Sequence, residues 1–148
     1  MGPRATSRSS TMKRTLGATV LAAGLVTAAF TPNAAANPNY VSNANNTVRC
    51  YMVEGETLCV SDIGRDAQPE CNPPNHLIPA VSIQRNWVGT KCWNQGFDGQ
   101  PMRLNPLQIH VNGSRVVIPG LAGELYVLDV AKPALVRAGT HNAVLFAL

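Results

Sequence analysis

The chain is predicted to be mainly β: a small, disulfide-stapled antiparallel β-sheet domain, sandwich- or barrel-like in arrangement. Three observations carry this. Val, Ile and Leu fall in short runs rather than long helical stripes. Gly (12) and Pro (11) recur along the chain and punctuate those runs into strand-length pieces. Finally, four cysteines, Cys50, Cys59, Cys71 and Cys92, follow what reads as an export signal, and an even count in an oxidising compartment points to two disulfides.

The amino end sets the compartment. Lys13 and Arg14 precede an uncharged apolar run, Leu16 to Phe30, and Ala34-Ala35-Ala36 places small residues where a signal peptidase requires them. Residues 1–36 are therefore read as a removed signal peptide, with the mature chain beginning at Asn37. The run is shorter than the ~20 residues that span a hydrocarbon core, so no membrane span is expected after cleavage. Met12 stands directly before the basic pair and is an alternative start. Removal of 1–36 takes Arg4, Arg8, Lys13 and Arg14 from the 12 basic residues and none of the 8 acidic ones, leaving eight of each. The formal charge of +4 thus belongs to the signal, and no nucleic-acid partner follows from it.

Residues 37–47 are polar and Asn-rich and read as a flexible leader, with 48–148 as a single β-rich domain. Val48–Val53 and Thr57–Ser61 flank Glu54-Gly55-Glu56, a hairpin signal in which Gly55 supplies a positive φ. A two- or four-residue loop would set Cys50 directly opposite Cys59, close enough for a disulfide; a three-residue loop would not. Of the three pairings open to four cysteines, Cys50–Cys59 with Cys71–Cys92 is the one this register favours. Asp62–Ile78 is a loop pinned through Cys71. Pro79–Arg85 alternates as a strand with one wet face, Thr90–Trp93 is a second short strand, and Asn94–Pro101 is a turn cluster.

Leu107–Ile118 carries the strongest local signal. With Asn112-Gly113 as a type I′ turn, Leu107, Ile109, Val111, Val116 and Ile118 share one face and His110 and Arg115 the other. The apolar face, with Leu125 and Val127 from a strand at Glu124–Val130, is the expected core. Ile109→Ala should then cost ~2–5 kcal/mol and His110→Ala little. Pro133 and Gly139 break the tail into short pieces, with a strand at Ala143–Phe146.

Few residues demand chemistry. The cysteine intervals lack the close ligand pairs of a zinc site, so no metal or other cofactor is expected, and a paired cysteine offers no thiolate. His76, His110 and His141 are dispersed and read as solvated side chains. No nucleophile elbow is present, and Asn112-Gly113-Ser114 reads as a turn. Trp87, Trp93 and Phe97 fall within eleven residues of a chain poor in aromatics. Such a cluster is most often core beside a disulfide; its functional reading is a surface patch for a protein or glycan.

The framework Asn46-Thr-Val-Arg-Cys50-Tyr-Met, Leu58-Cys59-Val-Ser, Cys71, Cys92-Trp and Leu104-x-x-Leu107 resembles small secreted actinomycete proteins of no established function. Their pattern is a short β-rich domain with a Cys-x8-Cys hairpin, two further cysteines, then a fifth and sixth near the end. The likeness covers about half the chain and lapses after Leu107, where the last two cysteines are missing. It implies location and fold class, not activity. The expected function is a binding or structural role outside the cell or at its envelope, without identifiable catalysis; a secreted hydrolase with an unassigned site, or an inhibitor acting through Asp62–Ile78, is the alternative.

Overall fold

The computed structural model describes residues 37–71, 76–94 and 96–148; the expected signal, its cleavage point and Met12 lie outside them. Eleven strands follow in order: β1 (Asn37–Asn43), β2 (Val48–Val53), β3 (Glu56–Ser61), β4 (Ile78–Gln84), β5 (Trp87–Trp93), β6 (Pro101–Leu104), β7 (His110–Asn112), β8 (Arg115–Pro119), β9 (Leu125–Asp129), β10 (Ala134–Ala138) and β11 (Ala143–Ala147). They form two sheets. Sheet A has the order β5-β4-β3-β2-β1-β6 and sheet B the order β11-β10-β9-β8-β7. One buried cluster draws Val41, Cys50, Met52 and Val81 from sheet A and Val117, Leu125, Val127 and Val136 from sheet B, so the sheets pack face to face as a sandwich.

The hairpin β2–β3 has the two-residue loop Glu54-Gly55, with Val53 opposite Glu56 and Cys50 opposite Cys59. Gly55 carries φ 81°. Cys50–Cys59 is a disulfide between Cα atoms 4.0 Å apart, inside the sandwich. Cys71–Cys92 is the second, tying the short 3₁₀ turn Pro69–Cys71 to β5. Both expected pairings are present.

Four expectations need correction. The flexible leader is in part β1, which pairs with β2 on one side and, in parallel, with β6 on the other. The polar composition misleads because Asn43 is itself structural: its Nδ2 donates to Thr47 Oγ1 (2.8 Å) and Gly123 O (2.8 Å), while its Oδ1 accepts from the Thr47 and Val48 amides (2.8 and 3.2 Å). A buried amide with those partners costs little, and Tyr40 and Val41 supply the burial. Second, β4 has no wet face, since Ser82 is buried and donates to Glu56 Oε1 at 2.7 Å. Third, β5 begins at Trp87 rather than Thr90.

The fourth correction is the largest. In the β7–β8 hairpin His110 pairs with Val117, Val111 with Val116 and Asn112 with Arg115, so the turn is Gly113-Ser114, with Gly113 at φ 59°. The face holding His110, Asn112, Arg115 and Val117 points inward. Leu107, Ile109 and Val111 are 66%, 60% and 64% exposed, and Val116 and Ile118 are half-buried; Leu125 and Val127 are core as expected. The inward polar groups find partners on sheet A: His110 Nε2 lies 2.8 Å from Pro38 O, Asn112 Nδ2 donates to Asn39 Oδ1 at 2.6 Å, and Arg115 donates to Val53 O. Those bonds hold Asn112 in the strand and out of the turn.

Candidate functional site

The outer face of sheet A follows from the disulfide. Cys50 and Cys59 point inward, so their neighbours Tyr51 and Leu58, themselves a cross-strand pair, point outward. The same alternation places Tyr40 on β1, Glu56 on β3, Ser82 and Gln84 on β4, and Trp87, Gly89, Lys91 and Trp93 on β5 on that face. Leu58, Val60 and Ala80 form a small second core there, with Ile78, Trp93 and Phe97 packed against it.

The chain then crosses this face. β5 and β6 are opposite edges of sheet A, five strand spacings or about 24 Å apart. The connection between Trp93 and Pro101 reaches little further than that when extended, roughly 28 Å, so it runs as a strap with little slack. Phe97 on the strap stacks on Tyr51 at a centroid distance of 5.3 Å and 20° between planes, and meets Tyr40 edge-on at 5.4 Å. Tyr40 and Tyr51 are themselves 5.7 Å apart. Burial pushes the Tyr40 phenol above its ordinary pKa, with Arg49 opposing and Asp62 reinforcing the rise.

Between strap and sheet lies an open cleft of about 330 Å³, walled by Tyr51, Leu58, Trp93 and Phe97, with Glu56 and Asp98 among its lining residues. Glu56 is held firmly. Its Oε1 accepts from Ser82 Oγ (2.7 Å), Gln84 Nε2 (3.0 Å) and Lys91 Nζ (2.9 Å). Burial alone would raise its pKa, but the three donors and the Lys91 charge outweigh that, and the carboxyl sits below its ordinary value. Lys91 Nζ also lies 5.2 Å from the centre of the Trp93 ring. The Trp93 Nε1–H is shielded from solvent and has no acceptor among the described residues. Left so, a buried donor costs about 1–3 kcal/mol.

Of the three expected aromatics, Trp93 and Phe97 come together here. Trp87 does not line the cleft; it lies at the other end of β5, 41% exposed, with its ring over Gly89, where a Cβ would fall 2.4 Å from Trp87 Cζ2. Tyr51, Glu56 and Lys91 were not singled out from sequence, although strand alternation from Cys50 and Cys59 reaches the first two. No histidine lines the cleft. Among the described residues no group of three or more His, Cys, Asp or Glu side chains is placed to hold a metal ion.

Set against protein-family models, curated proteins and solved structures, the chain matches none.

Proposed function

We propose that this protein is an exported binding domain and that the cleft beneath the strap holds its ligand, a neutral glycan segment. The observation that carries this is an open cleft walled by the aromatic rings of Tyr51, Trp93 and Phe97, with two carboxylates, Glu56 and Asp98, on its lining. A sugar ring has an apolar C–H face to lie on an aromatic ring and hydroxyls that both accept and donate. The rings of Tyr51, Trp93 and Phe97 would take the C–H face, and the carboxylates of Glu56 and Asp98 would accept from the hydroxyls. Two carboxylates against the one ammonium of Lys91 leave the cleft negative, which disfavours an anionic ligand. Two disulfides in a small β-domain support a setting outside the cell or at its envelope. A protein partner uses the same aromatics less well, because they wall a cleft of about 330 Å³ rather than a broad patch.

The test is a panel of neutral oligosaccharides titrated by calorimetry, a readout that survives the loss of either tryptophan. Saturable binding that is lost in Trp93→Ala and kept in Trp87→Ala is expected. Absence of binding across the panel, or binding indifferent to Trp93→Ala, overturns the assignment.

A further inference from the structure

The hairpin whose outward residues look like core leads to the opposite side of the molecule. On sheet B, Val111 pairs with Val116, Val116 with Leu128, Leu128 with Leu135 and Leu135 with Phe146. These five side chains form one apolar row across all five strands, pointing away from the sandwich interior. Ile118 and Tyr126 flank the row, and Arg137 is the one charged residue that the register of β7–β11 turns outward. Exposed Leu107 and Ile109, before β7, extend the apolar stretch. This is a sheet face written like a core face with no element of the described chain upon it.

The geometry points to a second copy of this chain as the occupant, joined face to face through sheet B in a two-fold dimer. Five strands about 4.8 Å apart, four of them five residues long and β7 three, give a flat footprint of at most roughly 24 by 17 Å, or somewhat under about 400 Å² per copy. Side-chain relief and the apolar rim add to this, so two faces together reach the ~1,000 Å² that a specific interface needs, and a patch of this size ranks with the largest, often functional, patch on a typical monomer. Net charge raises no barrier, because residues 37–148 carry eight basic and eight acidic side chains, and Arg137, in the row beside the apolar one with its Nε donating to the exposed His141 O, can keep its guanidinium in solvent. The same balance argues against an anionic lipid surface, which calls for a basic rim.

The row also fits itself. A two-fold axis along the strands through Leu128 sets Val111 of one copy against Phe146 of the other and Val116 against Leu135, with Leu128 meeting Leu128. Small faces large at the ends, and the gap between the sheets stays even. The other in-plane axis sets Val111 on Val111 and Phe146 on Phe146, leaving one end loose and the other crowded.

Sedimentation equilibrium on the chain as it is recovered from expressing cells, with its residues fixed by intact mass, tests this directly. Wild type is expected to be dimeric at micromolar concentration. Val111→Lys alone and Phe146→Glu alone should each weaken dimerisation by about tenfold or more, since each buries an unpaired charge in the interface. Val111→Lys with Phe146→Glu should recover most of the loss, because the new charges meet only across the interface; within one chain the two positions are four strand spacings, about 19 Å, apart. Both sites are exposed in the single chain, and near-ultraviolet circular dichroism checks that the variants fold. A monomer at all concentrations, a dimer indifferent to both single changes, or singles that weaken without recovery in the pair would overturn the arrangement. So would a monomer that co-sediments with neutral lipid vesicles or pairs with a different protein through Phe146.

Discussion

Val117 and Ile109 lie on opposite faces of the β7–β8 hairpin, and replacing each by alanine separates the observed packing from the one that hydrophobic alternation suggests. Val117 has no solvent exposure and sits between the sheets beside its cross-strand partner Val127. Val117→Ala removes two methyl-sized groups, worth about 1.6 kcal/mol of transfer free energy, and leaves a void that strands on both sides hold open, for a total of about 2–3 kcal/mol. Ile109 is 60% exposed, so Ile109→Ala should cost less than about 0.5 kcal/mol despite removing the larger side chain. In urea, with a slope near 2 kcal/mol per molar, the first midpoint falls by about 1–1.5 M and the second by less than about 0.3 M. Equal falls, or a larger fall for Ile109→Ala, would refute the inward placement of Val117.

Three other outcomes are expected. Replacing Cys71 and Cys92 together by alanine should lower stability by about 3 kcal/mol, the chain-entropy worth of that loop, read as a denaturant midpoint; no change would mean the loop holds itself without the staple. Glu56 is held below its ordinary pKa, so its contribution is complete above the unfolded value of 4.5 and is lost as pH falls through the folded value. Glu56→Gln should thus flatten the loss of stability below pH 4.5, and an unchanged acid limb of the melting curve would show the three-donor cluster to be inert. Gly55→Ala should cost about 1 kcal/mol through backbone strain alone, because space around Gly55 is open; a neutral result in thermal melts would mean the turn readjusts.

What the sequence made legible was local. The Glu54-Gly55 turn fixes its own register, so Cys50 opposite Cys59 follows from spacing, and the second disulfide goes with it. β1 was hidden because Asn43 looks like loop until its partners Thr47, Val48 and Gly123 are in place, the last 80 residues away. β6 pairs in parallel with a strand some sixty residues earlier, and no local alternation records that. The hairpin face inverted because both of its faces are suited to burial: Val111 and Val116 by apolarity, His110, Asn112 and Arg115 by partners on sheet A. Hydrophobic pattern selects the more apolar face, and here that face is the outer one. Trp93 and Phe97 were visible as an aromatic cluster, but Glu56, Tyr51 and Lys91 join them from three different strands, and only the sheet order brings them together.

Backbone amide shifts followed by NMR during titration with a neutral oligosaccharide that binds test the cleft most directly. The largest changes are expected at Tyr51, Glu56, Leu58, Trp93, Phe97 and Asp98. Changes centred instead on the outer face of sheet B, or spread without a focus, would contradict a ligand seat beneath the strap.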